Sequence, residues 1–252
     1  MHQTNNEKKR ENQKDQNLNM FKNFGTPLLI VLLFCLHSTA QTTTIPIRFK
    51  LKFNSNDVVK GQNFISKNND TLSIETFKCY LSNFKLEYTD KSISEIKNHY
   101  YLLDSDSLKS FRIELPKKEN KTISKITFAI GIDSITNTLG VQNGVLDPIN
   151  GMYWAWQSGY INFKIEGKSS SCKTRLNKFH FHIGGYLYPN YALRIIEIPI
   201  HKSQNPTKTL DLTIDLATFF NEIHLEENNS IMIPGKKAME LADLSVKLFS
   251  EK

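Results

Sequence analysis

The sequence predicts a mainly β protein, an antiparallel β-sandwich with one long functional loop and one short C-terminal helix. Three observations lead there. Apolar and polar residues alternate with period two in segment after segment, helical spacing persists only near the C-terminus, and an Asn/Gly-rich stretch interrupts the alternation once. A strand with one buried and one solvated face belongs to an antiparallel sheet, and many such strands call for two sheets packed face to face.

The first forty of the 252 residues are not expected to join that fold. Residues 1–19 are polar and highly charged, and Met20 then opens a different pattern. Lys22 lies near its start, an apolar run spans Leu28–Leu36, and Ser38-Thr39-Ala40 precede Gln41. That layout is a secretory signal, with Met20 as the start and cleavage after Ala40, which implies a periplasmic or secreted protein. The apolar run is roughly ten residues against about twenty for a bilayer span, so no stable membrane insertion is expected. Cys35 follows the bulky Phe34 where a lipobox has a small residue, which argues against lipid anchoring.

Residues 41–252 are read as a single domain, large enough for one substantial core. Removing the first forty residues lowers the formal charge from +7 to +5. The remaining excess is spread as single lysines between apolar residues, as on solvated strand faces, and nucleic acid is excluded as a partner class. Only Cys79 and Cys172 remain after processing. They could form one disulfide, but neither has the spacing of a structural zinc site.

Within the domain, strands are predicted at Ile45–Phe53, Tyr80–Tyr88, Tyr100–Leu103 and Phe111–Leu115. Next, Ile126, Phe128, Ile130 and Ile132 oppose Lys125, Thr127 and Ala129. Ile161, Phe163 and Ile165 oppose Asn162, Lys164 and Glu166. Leu193–Ile200 follows, and then Leu210, Leu212, Ile214 and Leu216 oppose Asp211, Thr213 and Asp215. A short helical turn is expected at Ala217–Glu222. The C-terminal helix runs from Lys236 to about Phe249, with Ala238, Leu241, Ala242, Ser245 and Phe249 as its apolar stripe. Between strands, Asp133–Gly151 contains Asn137, Gly140, Asn143, Gly144, Asn150 and Gly151 together with Asp147-Pro148. This reads as a long loop of turn-forming residues that leads directly into Tyr153-Trp154-Ala155-Trp156.

The chemically capable side chains concentrate around that loop. His180 and His182 oppose Phe179, Phe181 and Ile183, so both imidazoles project to one face, roughly 6.5–7 Å apart along the strand. Two imidazoles placed this way can converge on copper, zinc or iron; two solvated surface histidines is the plain alternative. Trp154 and Trp156 share a face if the chain is extended there. An unmodified indole offers only an N–H donor and does not ligate, so core packing is the plain reading of both. Met152 adds a thioether, a soft donor that more often fills gaps. Tyr153, Tyr160, Tyr186, Tyr188 and Tyr191 would let the same region act as an aromatic platform for sugar or peptide.

The run GID, LDP, GMYWAWQSGY, F and EG, followed by FHIGG, resembles the MbnP-like copper-binding domain, a family of exported proteins related to those near methanobactin operons. Tyr80-Leu81-Ser82-Asn83-Phe84, the Asp215 to Phe219 segment and the C-terminal helix extend the resemblance over most of the mature chain. It implies a β-rich fold and copper(I) held by histidines and a kynurenine. The kynurenine is a tryptophan oxidised by a dihaem, peroxidase-like partner, and ring opening supplies the amine that indole lacks. Carried onto this chain, Trp154 or Trp156 would be the oxidised residue, His182 the best-matched histidine and His180 a second ligand. One departure stands out: some copper-binding relatives have a histidine two residues after the modified tryptophan, and here that position, counted from Trp154, is Trp156. His99, His201 and His224 have no motif support and are read as surface residues.

No G-x-S-x-G, HExxH, P-loop or dinucleotide fingerprint occurs, and the expectation is a non-enzymatic protein. A paired-histidine monooxygenase would need a histidine at the mature amino terminus, where Gln41 is expected instead.

Overall fold

The computed structural model describes residues 43–156, 159–201 and 209–252. The predicted start at Met20, the cleavage after Ala40 and Cys35 lie outside the described residues.

Two sheets enclose one main core. The smaller has β16 (Phe249–Glu251), β14 (Leu210–Asp215), β1 (Thr43–Phe53) and β2 (Asn56–Asp57) in that order, with β6 (Arg112–Lys117) also on β1. The larger runs β13 (Arg194–Pro199), β7 (Ile123–Ile130), β4 (Thr71–Tyr88), β9 (Gly159–Ser169), β10 (Lys178–Gly184) and β15 (Ser230–Ile231). It also includes β3 (Asn63–Ile65) and β5 (Ile93–Asp104) on β4, and β8 (Tyr153–Trp154) on β9. A two-stranded ribbon joins β11 (Tyr186–Leu187) to β12 (Asn190–Tyr191). Helices are short: α1 (Ser134–Thr138), α2 (Ala217–Phe220) and α3 (Lys236–Ser245). No helix among the described residues is long and apolar enough to cross a membrane.

The predicted alternation is what builds the core. Phe49 of β1 meets Phe128 of β7 edge-to-face, with ring centroids 6.3 Å apart, and Phe249 of β16 closes on Phe128 at 5.2 Å. Residues from both sheets thereby interlock, as in a sandwich. Two pairings depart from the antiparallel rule, since β1 runs parallel to β14 and β10 parallel to β15. Strand direction depends on connections far away in sequence, and alternation does not report it.

Boundaries differ in ways that have local causes. Strand β5 begins at Ile93, seven residues before the predicted start, because Ile93-Ser94-Glu95-Ile96 pairs with Glu87-Leu86-Lys85-Phe84 along an edge. The C-terminal helix ends at Ser245, and Phe249 starts β16 instead of finishing the helical stripe. Ile132 was expected on the inner face with Ile130. Gly131 between them takes φ 109°, which redirects the chain and puts Ile132 in a second cluster. That cluster contains Tyr80, Leu146, Met152, Trp154, Tyr160 and Ile161. Ile161 is therefore separated from Phe163 and Ile165, which stay in the main core.

The segment 133–151 is not an open loop. Asp133 caps α1 by accepting from the Thr136 amide, and Asp147 caps a single turn at Pro148–Asn150. Both side chains satisfy backbone donors that would otherwise be orphaned. Cys79 and Cys172 are free buried thiols, and burial raises both, Cys172 to about 11.

Candidate metal centre

On β10 the alternation sends Phe179, Phe181 and Ile183 into the core and leaves His180 and His182 on the outer face of the large sheet. Antiparallel pairing with β9 sets Glu166 opposite His180 and Lys164 opposite His182. Glu166 thereby reaches both imidazoles. Its Oε1 lies 2.6 Å from His182 Nε2 and 3.6 Å from His180 Nδ1. The two imidazole rings stand at 88° with centroids 6.2 Å apart. Ligand-capable atoms of Glu166, His180 and His182 all lie within 4.8 Å of one another, and the three side chains are half-buried.

The hydrogen bond to His182 holds the Glu166 carboxyl down at about 2, against the opposing effect of burial. Lys164 sits next to this group, and burial lowers it from the ordinary lysine range. Its ammonium donates to the Gly151 carbonyl at 2.5 Å, and Lys78 donates to Asn150 at 3.1 Å. Two lysines from the sheet thus hold down the segment that enters Met152–Trp156.

The motif residues around that segment form a hydrogen-bonded frame. The Asn137 amide donates to the carbonyls of Ile132 and Asp133 and accepts from the Tyr160 amide. Tyr100 donates to Asp133 at 2.5 Å. Burial first, and this bond second, push the Tyr100 hydroxyl up to about 12. Burial would raise Asp133, but donors from Tyr100 and Thr136 outweigh it and keep the carboxyl below its usual range. The Asn162 amide supports Ile132 through a bond to its backbone nitrogen.

The two tryptophans separate. Trp154 is 6% exposed and belongs to the second cluster, whereas Trp156 is 64% exposed on a turn. They do not share a strand face, because the extended run ends at Trp154. Their rings still approach, with centroids 5.9 Å apart. Trp154 packs on Gly184, where an added Cβ would meet its Cζ3 at 2.8 Å. Ile183 points inward, so Gly184 faces outward like His180 and His182, and the Trp154 indole covers the same strand two residues beyond His182. Met152 is fully buried beneath the loop. His99, His201 and His224 are exposed and outside the cluster.

These observations stand alongside a family match over residues 42–233, to MbnP. The chain belongs to the MbnP family. No curated protein matches the sequence. Among solved structures, MbnP from Methylosinus trichosporium is similar at 14% identity, covering 79% of this chain and 83% of that one with a TM-score of 0.47.

In this MbnP family member the donor set can be tested for fit. Two imidazoles and a carboxylate are a mixed nitrogen and oxygen set that copper, zinc and iron accept. Donors bound at about 2 Å from one ion lie no more than about 4 Å apart, a spread close to the 4.8 Å within which these three fall. Nε2 of His182, now engaged with Glu166, would have to release that contact or keep Glu166 as the orienting partner of a histidine bound through its other nitrogen. Glu166 was assigned to the correct polar face by its alternation. Its partnership with the histidines depends on the β9–β10 register, which neither strand encodes by itself.

Proposed function

We propose that this protein is an exported, non-catalytic copper-binding protein serving copper scavenging, storage or delivery. His182 and His180 supply nitrogen and Glu166 supplies or orients the third donor. The observation carrying this reading is the convergence of those three side chains on one half-buried face, in a chain that belongs to the MbnP family. Trp154 is the better of the two tryptophans for oxidation to kynurenine, since its ring already covers β10 beyond His182. Trp156, on the turn, faces the solvent from which a dihaem, peroxidase-like partner would approach.

Copper content after periplasmic expression tests the reading, measured by elemental analysis on wild type, His182→Ala and the His180→Ala/His182→Ala double variant. Near-stoichiometric copper in wild type, sharply reduced in His182→Ala and lost in the double variant, is expected. Full loading of the double variant rejects the assignment. Intact mass and peptide mapping locate any kynurenine to residue 154 or 156.

A second reading has one specific observation behind it. Trp154, Tyr160, Tyr186 and Tyr188 line a cleft of about 240 Å³ with Leu187 and Pro234, a shape suited to a stacked sugar or aromatic peptide side chain without metal. Glycan binding that persists in the double histidine variant, with no copper in wild type, would favour it.

A further inference from the structure

A cavity of about 520 Å³ lies away from the histidines, against strand β1 of the small sheet. Strand β1 pairs with β6 from Thr43 to Arg48 and with β2 only from Lys52. Among the described residues no strand is in register with Phe49, Lys50 and Leu51 on this side, where the Leu51 carbonyl accepts from the Val58 amide, and the cavity lies against this stretch. Its floor is apolar: Phe49, Ile74 and Phe111 are buried, and Leu51 joins them.

Its rim is cationic. Arg48, Lys50 and Lys52 alternate along β1, and Lys60, Arg112 and Lys252 reach it from three other segments. Much of this charge is compensated. Asp57 binds Lys52 at 2.9 Å, Asp106 binds Lys60 at 3.3 Å, and Glu114 binds Arg112 at 3.1 Å. Glu75, the remaining acid of the lining, pairs with Lys168 at 2.6 Å. Lys50 is 3.9 Å from Asp211, which also engages Arg48 at 2.7 Å.

Two contacts on the rim bring like charges together. Arg48 stands directly across from Arg112 in the β1–β6 register, a cross-strand like-charge pair. Lys50 lies against the Lys252 side chain, whose contact and charge lower it from the ordinary lysine range. An anion in the opening would add a favourable partner at both.

We propose that this opening binds a small amphipathic carboxylate, its apolar chain or ring on the Phe49–Ile74–Phe111 floor and its carboxylate between Lys50, Arg48 and Arg112. Apolar walls with a few convergent polar groups, in a volume of this size, are what small-ligand sites present. The site is separate from the copper reading and stands without it, since no residue of the Glu166–His180–His182 group lines it.

Isothermal titration of the intact folded protein with decanoate, kept below its micellar concentration, tests the proposal, with decanol and inorganic phosphate as partial probes. Saturable one-to-one binding of decanoate is expected, with decanol and phosphate each weaker by about tenfold or more. Lys50→Gln and Arg112→Gln should each weaken decanoate by about tenfold, and added salt should do the same in wild type. Both substitutions are of exposed or half-buried groups, and circular dichroism verifies the fold. Decanol binding as tightly as decanoate, unsaturable binding, or affinity unchanged in both variants overturns the proposal; so does failure of decanoate to bind wild type, which requires no variant to fold.

Discussion

At Glu166 a single contact governs the response to acid. Its carboxyl titrates at about 2 in the folded protein, against 4.5 for an unperturbed glutamate, because His182 donates to it. A depressed carboxylate contributes stability that is fully present above 4.5 and lost as pH falls toward 2. The side chain is 27% exposed, so solvent screening reduces the contribution to about 1 kcal/mol. Urea unfolding of wild type and Glu166→Gln at a series of pH values should show the two curves converging across that window and separated above it. Parallel curves would remove the ion pair from the account. Gly184 provides a second residue-level case. An added Cβ would fall 2.4 Å from the Tyr160 carbonyl oxygen and 2.8 Å from Trp154. Backbone does not yield as a flexible side chain does, so Gly184→Ala should cost about 1–3 kcal/mol. The displaced indole should report itself in tryptophan fluorescence, while unchanged stability and emission would mean that the contact is looser than described.

Among elements, the segment from Gly131 to Trp154 decides whether Trp154 reaches β10 at all. Asn137 ties its start to β9 by accepting from the Tyr160 amide, and closes the turn behind it by donating to the Ile132 and Asp133 carbonyls. Truncation to alanine leaves buried backbone groups without partners, and Asn137→Ala should cost about 2–3 kcal/mol. Amide exchange at Tyr160 should accelerate well before exchange in the core strands. Protection retained at wild-type level would show that the frame does not depend on this side chain. The same segment marks the limit of what its residues disclose in isolation. Asn137, Asp133 and Asp147 are turn and cap formers by chemistry, and they were read as a loop; that two of them cap helical turns follows from donors only three-dimensional closure supplies. Strands with strict alternation, such as Ile123–Ile130 and Leu210–Asp215, were legible because one face had to be buried. The first half of β5 was not, because a single buried residue, Ile96, among Ser94, Glu95 and Lys97 makes no apolar alternation. His180 and His182 could be paired by spacing, whereas Glu166 needed the register of a neighbouring strand.

Across the whole molecule, the two faces of the large sheet do different work. Its inner face meets the small sheet through Phe84, Phe128 and Phe249, with Phe128 in contact with both others at 5.2 Å. Its outer face carries the second cluster and the Glu166, His180 and His182 group. Adjacent residues of one strand therefore serve separate ends, Phe181 packing on Phe219 at 5.5 Å while His180 and His182 face outward. On the proposed copper-binding function, this separation should make stability and metal loading independently mutable. Phe128→Ala removes a ring that bridges both sheets and should cost about 3–5 kcal/mol. At roughly 2–4 °C of Tm per kcal/mol for a domain of this size, melting should fall by about 6–20 °C. Below that lowered transition the copper stoichiometry should stay at the wild-type level, because no donor touches the substituted ring. A variant that melts early and also loads substoichiometric copper while still folded would mean that the outer face is braced by the core beneath it, and the division between the two faces would fail.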